Sequence, residues 1–309
     1  MQLCRFHLPN LGSRIGLLLD SSVIDLTAGD VPYVSSLAAL LRASTERSVI
    51  SLVSEIETVD LPRYSYSALE QTPSADTPHL LPPVDRQEIW AAGVTYAWSR
   101  EARVQEAQSK EIYVRVYDAE RPEIFFKSLP EKAVGPGDFI GVRGDSNWNV
   151  PEPELALVLN PHMDIVGYTI GNDVSSRDIE GENPLYLPQA KVYDHSCALG
   201  PVITIADETM TGQDLGIKLL IERDGTPVFE GETRTSEMHR PLSELADFLG
   251  RYNSLPHGAV LLTGTCIVPS NDFTLQDGDI VSIEIESVGT LRNYVRCLVL
   301  QGSSRLLCP

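Results

Sequence analysis

Cysteine is scarce in this chain and unpatterned. Cys4, Cys197, Cys266, Cys297 and Cys308 are scattered, odd in number and include no Cys-x-x-Cys pair. That spacing predicts neither a disulfide framework nor a zinc site, and it fits a reducing compartment. Basic residues are scarce as well: 24 Lys and Arg stand against 43 Asp and Glu, a net charge of -19. Such a surface argues against nucleic acid or an anionic membrane as partner. Long apolar runs are missing, so no membrane span is expected. Met1 to His7 carries neither the apolar core nor the cleavage pattern of a leader, which makes the cytoplasm the expected location. No internal repeat and no glycine-rich phosphate loop is found, and Gly135-Pro136-Gly137-Asp138 reads as a turn. What is present is 309 residues, 42% hydrophobic and 22% charged, enough for a large core and more than one domain.

The chain begins as a small α+β unit. Arg14 to Asp20 and Val23 to Leu26 flank a Ser21-Ser22 turn and read as a hairpin, while 35–42 and 46–56 carry helix-like apolar spacing. Pro73, Pro78, Pro82 and Pro83 then crowd a polar stretch, which predicts a boundary near Pro82 between a domain of residues 1–82 and one of residues 83–309. Beyond it, strand signals dominate. Asp224-Gly225 between two apolar runs predicts a hairpin, Ile280 to Glu286 alternates at period two, and 241–252 reads as a helix opened by Pro241.

The densest chemistry lies in Pro151-Glu152-Pro153-Glu154, which turns apolar at Leu155, and in Gly171-Asn172-Asp173 after the next strand-like run. Residues i and i+2 of a strand face one way, so Glu152 and Glu154 converge. Two such carboxylates repel unless a cation neutralises them. An acidic solvent face is the ordinary account of Glu-x-Glu. Adding Asp173 makes three carboxylates without His or Cys, a set that suits Mg²⁺, Mn²⁺ or Ca²⁺.

Eight blocks in order then resemble the fumarylacetoacetate hydrolase superfamily. They are Gly93-Val94-Thr95-Tyr96, Pro122 to Lys127, Gly135 to Asp138, Glu152-x-Glu154-Leu155-Ala156, Gly167 to Asp178, Lys191-x-Tyr193-Asp194, Leu262 to Thr265 and Gly289 to Asn293. The resemblance runs from about Ile89 to Val295. It implies an α+β, β-rich chain: a catalytic domain of mixed β-sandwich roll form with a small α+β N-terminal domain. It further implies a homodimer or higher homo-oligomer, an ion on Glu152, Glu154 and Asp173, and a 2-oxo acid or 1,3-dicarbonyl ligand. Hydrolases of the superfamily carry a water-activating His shortly after the Gly-x-x-Tyr block, but here Ser99 stands at that place. A neutral Ser is a poor general base. The run Ser99-Arg100-Glu101-Ala102-Arg103 looks instead like the 2-keto-3-deoxy-D-arabinonate dehydratase branch.

The implied reaction is Mg²⁺-dependent loss of water from a 2-keto-3-deoxy sugar acid through a metal-stabilised enolate, which needs an acid/base pair and no nucleophile. Lys191 and Glu123 are the acid/base candidates, against a surface Lys and a solvent-facing strand start. Thr265, Arg177, Ser99 and Arg100 are the substrate-binding candidates. For Arg177 the competing account is a structural pair with Asp178 or Glu180, and for Thr265 a turn-stabilising role. Ser99, Arg100 and Arg103 lie in a helix-compatible stretch that reads equally as a cover over the site or as a solvated face. His195 is read as structural. The alternatives are a hydrolase splitting an acylpyruvate, decarboxylation or tautomerisation of a 2-oxo acid, and a non-catalytic 2-oxo acid binding protein.

Overall fold

The computed structural model describes residues 1–56, 58–96 and 116–299. Its centre is the strand Pro153–Leu159, all seven residues of which are buried. It pairs antiparallel with Ile165–Asp173 on one side and Ala259–Leu262 on the other. Burial on both faces explains why Leu155 to Leu159 is an unbroken apolar run and not an alternating one. Among the described residues this strand sits inside a twelve-stranded mixed sheet. Beyond Ile165–Asp173 come Cys197–Ile205 and Gln2–Leu8, and beyond Ala259–Leu262 come Glu88–Gly93 and Glu123–Ser128.

A second sheet, of five strands among the described residues, runs Thr226–Arg234, Gly216–Arg223, Ile280–Ile285, Gly289–Leu298, Phe139–Arg143. One apolar cluster joins the sheets, with Leu155, Leu157 and Ile170 from the first and Ile217, Leu219, Ile283 and Leu291 from the second. Burying each such side chain stabilises by about 1.5–3 kcal/mol. The Asp224-Gly225 hairpin forms as expected, both residues taking positive φ, 51° and 73°. That is the turn whose twist matches paired strands. The helix opened by Pro241 is Leu242–Gly250, with Leu245, Ala246 and Leu249 buried. Phe248 stays at its edge, under the Arg251 guanidinium at 3.8 Å.

The N-terminal segment has its own helices, Leu37–Ala43 and Val49–Ser54, capped by the Ser36 and Ser48 side chains. Its backbone nevertheless enters the large sheet: Gln2 opposes Thr204 and Leu3 opposes Ile203. Its apolar cluster includes Val158, Ile203 and Ile205. Prolines near Pro82 interrupt backbone pairing because they lack the N–H donor, but the core continues across them. Cys297 is disulfide-bonded, a departure from the all-thiol reading, whereas Cys4, Cys197 and Cys266 are free. Among the described residues no helix is long and apolar enough to cross a membrane.

Candidate active site

The two central strands bring the acidic residues together. In their register Pro153 opposes Asn172 and Glu154 opposes Gly171, so Glu152 comes level with Asp173. The Asp173 N–H donates to the Glu152 carbonyl at 3.0 Å, and the Glu152 N–H donates to Asn172 Oδ1 at 3.1 Å. One carboxylate oxygen from each of Glu152, Glu154 and Asp173 lies within 4.8 Å of the others. Their exposures are 3%, 1% and 1%, so the acidic solvent face that Glu-x-Glu ordinarily marks does not describe this strand.

Among the described residues, three buried cations answer the three carboxylates. Lys191 ends the short helix Leu187–Lys191 and sends its ammonium between two of them, 2.7 Å from Glu152 Oε2 and 2.9 Å from Asp173 Oδ2. It is 2% exposed, which sets aside the surface-Lys account. Arg177 Nη2 lies 2.9 Å from Glu152 Oε1. Lys127 Nζ lies 2.5 Å from Asp173 Oδ1. Removing one partner from such a buried pair costs about 3–5 kcal/mol because the other charge is stranded. Glu154 receives the Gly264 N–H on Oε2 at 2.5 Å. Burial, followed by repulsion from Asp173 and Glu152, holds its carboxyl well above the usual range, with Lys191 and the Gly264 N–H pulling the other way.

A pocket opens over this cluster, and Glu123, Phe125, Arg177, Glu180, Lys191 and Thr265 are among its walls. Glu123 starts the strand Glu123–Ser128 and opposes Gly93 in register. A Cβ on Gly93 would collide with Glu123 Oε2, so the glycine leaves space for that carboxylate. Phe125 lies two residues further along the same face, its ring centroid 5.7 Å from Lys191 Nζ. Thr265 is 7% exposed, and its Oγ1 also accepts the Ile267 N–H at 3.2 Å, so it serves its turn while lining the pocket.

Asp178 points away from Arg177, receiving the Ser146 hydroxyl at 2.6 Å and the Asn147 N–H at 2.8 Å. Trp148 contributes its carbonyl, which accepts the Arg177 N–H at 2.8 Å. His195 stacks on Phe139 with ring centroids 4.1 Å apart, in keeping with a structural role. Ser99, Arg100 and Arg103 lie outside the described residues. Sequence reasoning assigned no role to Lys127. The signal was period two along one strand, because Glu123, Phe125 and Lys127 share a face. Glu180, which the sequence offers only as a partner of Arg177, sits three residues on in the same helix and so on the same side, and it lines the pocket as well.

The family model for the fumarylacetoacetate (FAA) hydrolase C-terminal region matches residues 88–296. The probable 2-keto-3-deoxyxylonate dehydratase of Haloferax volcanii is 47% identical over 287 residues, which cover 91% of this chain and 95% of that protein. The 2-dehydro-3-deoxy-D-arabinonate dehydratase of Saccharolobus solfataricus is 44% identical over 262 residues, 84% of this chain and 86% of that one. A solved structure of 2-keto-3-deoxy-D-arabinonate dehydratase complexed with magnesium and 2,5-dioxopentanoate superposes with a TM-score of 0.80 at 39% identity, covering 96% of this chain and 99% of that one.

Proposed function

The chain belongs to the fumarylacetoacetate hydrolase family, and from that premise we propose that it is a magnesium-dependent dehydratase removing water from a 2-keto-3-deoxy sugar acid. The observation that carries this reading is the buried Glu152, Glu154 and Asp173 cluster in a chain whose full-length relatives are named dehydratases. The donor set fits the ion: three carboxylates and no nitrogen or sulfur ligand suit a hard, oxygen-seeking cation. The ammonium of Lys191 already sits between Glu152 and Asp173, which marks the cluster as one that demands positive charge. When bound on these three residues, Mg²⁺ supplies Lewis-acid polarisation of the substrate's 2-oxo group, which acidifies its C3–H bond.

The remaining work falls to the chain's own groups. Elimination needs an acceptor for the C3 proton and a donor to the departing C4 hydroxyl. Lys191 and Glu123, on two walls of one pocket, are assigned to divide those roles. The Thr265 hydroxyl and the Arg177 guanidinium are assigned to the substrate carboxylate, with Arg177 also tethering Glu152. Ser99 and Arg100 remain substrate-facing candidates on the sequence resemblance alone. Ser99 in the place of a His removes the group that would activate water, which favours elimination over hydrolysis. On the same resemblance we infer a homodimer; light scattering that returned a 34.0 kDa particle at micromolar concentration would count against it.

The deciding experiment is product identification by mass spectrometry. With Mg²⁺ and 2-keto-3-deoxy-D-arabinonate, the expected product is lighter by one water, a 2-oxo acid ending in an aldehyde. If that substrate is untouched while an acylpyruvate splits into pyruvate and a carboxylic acid, the chain is a hydrolase.

A further inference from the structure

We propose that Lys127 is a positioning residue for the ion site, fixing Asp173 and the backbone of Lys191 in one arrangement; this deepens the reading above and rests on it. Lys127 is fully buried, at 0% exposure, in the strand Glu123–Ser128. An ammonium has three N–H donors and no acceptor. Here three oxygens surround it: Asp173 Oδ1 at 2.5 Å, the Val174 carbonyl at 3.1 Å and the Lys191 carbonyl at 2.5 Å. Two of its N–H donors go to the two carbonyls and its charge forms a close ion pair with Asp173 Oδ1, so the group is spent on the protein. It is also not among the residues lining the pocket, which separates it from Lys191 and Glu123.

Those three contacts tie together elements that the chain keeps apart. Asp173 ends one strand, Lys191 ends a short helix and Lys127 lies in a third element. By engaging Asp173 Oδ1, Lys127 leaves Oδ2 turned toward Lys191 Nζ and Glu152. By holding the Lys191 carbonyl, it anchors the root of the side chain assigned to proton transfer. A ligand carboxylate whose second oxygen is ion-paired to a buried cation is held in place by it, and losing such an outer partner typically weakens metal affinity or activity roughly 10- to 100-fold. No substitute reproduces the tripod: Met removes the donors, and the planar guanidinium of Arg cannot address three oxygens converging on one point.

The test measures ion binding without substrate. The full chain is stripped of metal and titrated with Mn²⁺, the free ion being read by electron paramagnetic resonance, alongside circular dichroism. Lys127→Met is expected to keep the wild-type dichroism spectrum and to bind Mn²⁺ at least about tenfold more weakly. It should also show a lower kcat with a smaller change in KM. Wild-type Mn²⁺ affinity in a folded Lys127→Met protein overturns the proposal while leaving the ion site itself standing. Wild-type protein that binds no Mn²⁺ sinks the ion-site reading and this proposal with it. Should Lys127→Met fail to fold, Lys127→Arg decides, since it retains a buried cation opposite Asp173. A tenfold loss of affinity supports the tripod, and unchanged affinity overturns it.

Discussion

Lys191 and Glu152 form a buried ion pair, Nζ to Oε2 at 2.7 Å, across 39 residues of sequence. The other oxygen of Glu152 is held by Arg177 at 2.9 Å. Both carboxylate oxygens are therefore oriented before any ligand arrives, the preorganisation that makes electrostatic stabilisation effective. The pair also separates two functions of the site, since one partner is proposed for proton transfer and the other for ion binding.

Lys191→Met should expose that separation. Turnover is expected to fall by roughly 10² or more, the usual loss for a general acid or base. Mn²⁺ affinity should be retained or strengthened, because a competing cation leaves the carboxylates. A variant that keeps wild-type kcat would remove Lys191 from the proton-transfer assignment.

Glu154→Gln keeps an acceptor for the Gly264 N–H but removes one charge from the triad. Mn²⁺ affinity is expected to drop by at least about tenfold, with activity partly recovered at raised Mg²⁺. Isothermal titration calorimetry on the stripped protein reads the affinity directly. Equal affinity for wild type and variant would take Glu154 out of the ligand set.

The raised pKa of Glu154 has a stability consequence in chelator-treated protein. A carboxyl whose folded pKa exceeds its unfolded one keeps its proton when folded and loses it when unfolded. Its contribution to stability is complete below the unfolded pKa and is lost as pH rises through the folded one. Tm in EDTA should therefore decline as pH rises above the usual carboxylate range, more steeply for wild type than for Glu154→Gln. Parallel Tm–pH curves for the two proteins would contradict this.

Gly93→Ala tests the seat of Glu123. The added methyl meets the flexible end of Glu123 and not backbone, so the fold should survive with little change in Tm. The displaced carboxylate should lower kcat toward the roughly 10² loss expected for a missing acid/base group, without weakening Mn²⁺ binding. Wild-type kcat would mean that the position of the Glu123 carboxylate is immaterial.

Much of this architecture was legible along the chain because it depends on local signals. The Asp224-Gly225 turn, the Pro241 helix start and the unbroken run from Leu155 to Leu159 each follow from backbone preference or from burial on two faces. The carboxylates were legible for the same reason, since Glu152 and Glu154 share a strand face and Asp173 ends the neighbouring strand. The order of strands in the large sheet was not legible in this way. Proline reports where backbone pairing is interrupted, whereas whether Gln2–Leu8 joins Cys197–Ile205 depends on a partner some two hundred residues away.

By itself, then, the sequence determined the elements and brought the acidic triad into view. Only the tertiary structure decided which cation meets which carboxylate. Lys127, Arg177 and Lys191 come from a strand, one short helix and the end of another, and nothing in their spacing announces that they converge. Coulombic pairing acts through space: it is set by sheet register and by exclusion of water, and neither can be read from one dimension.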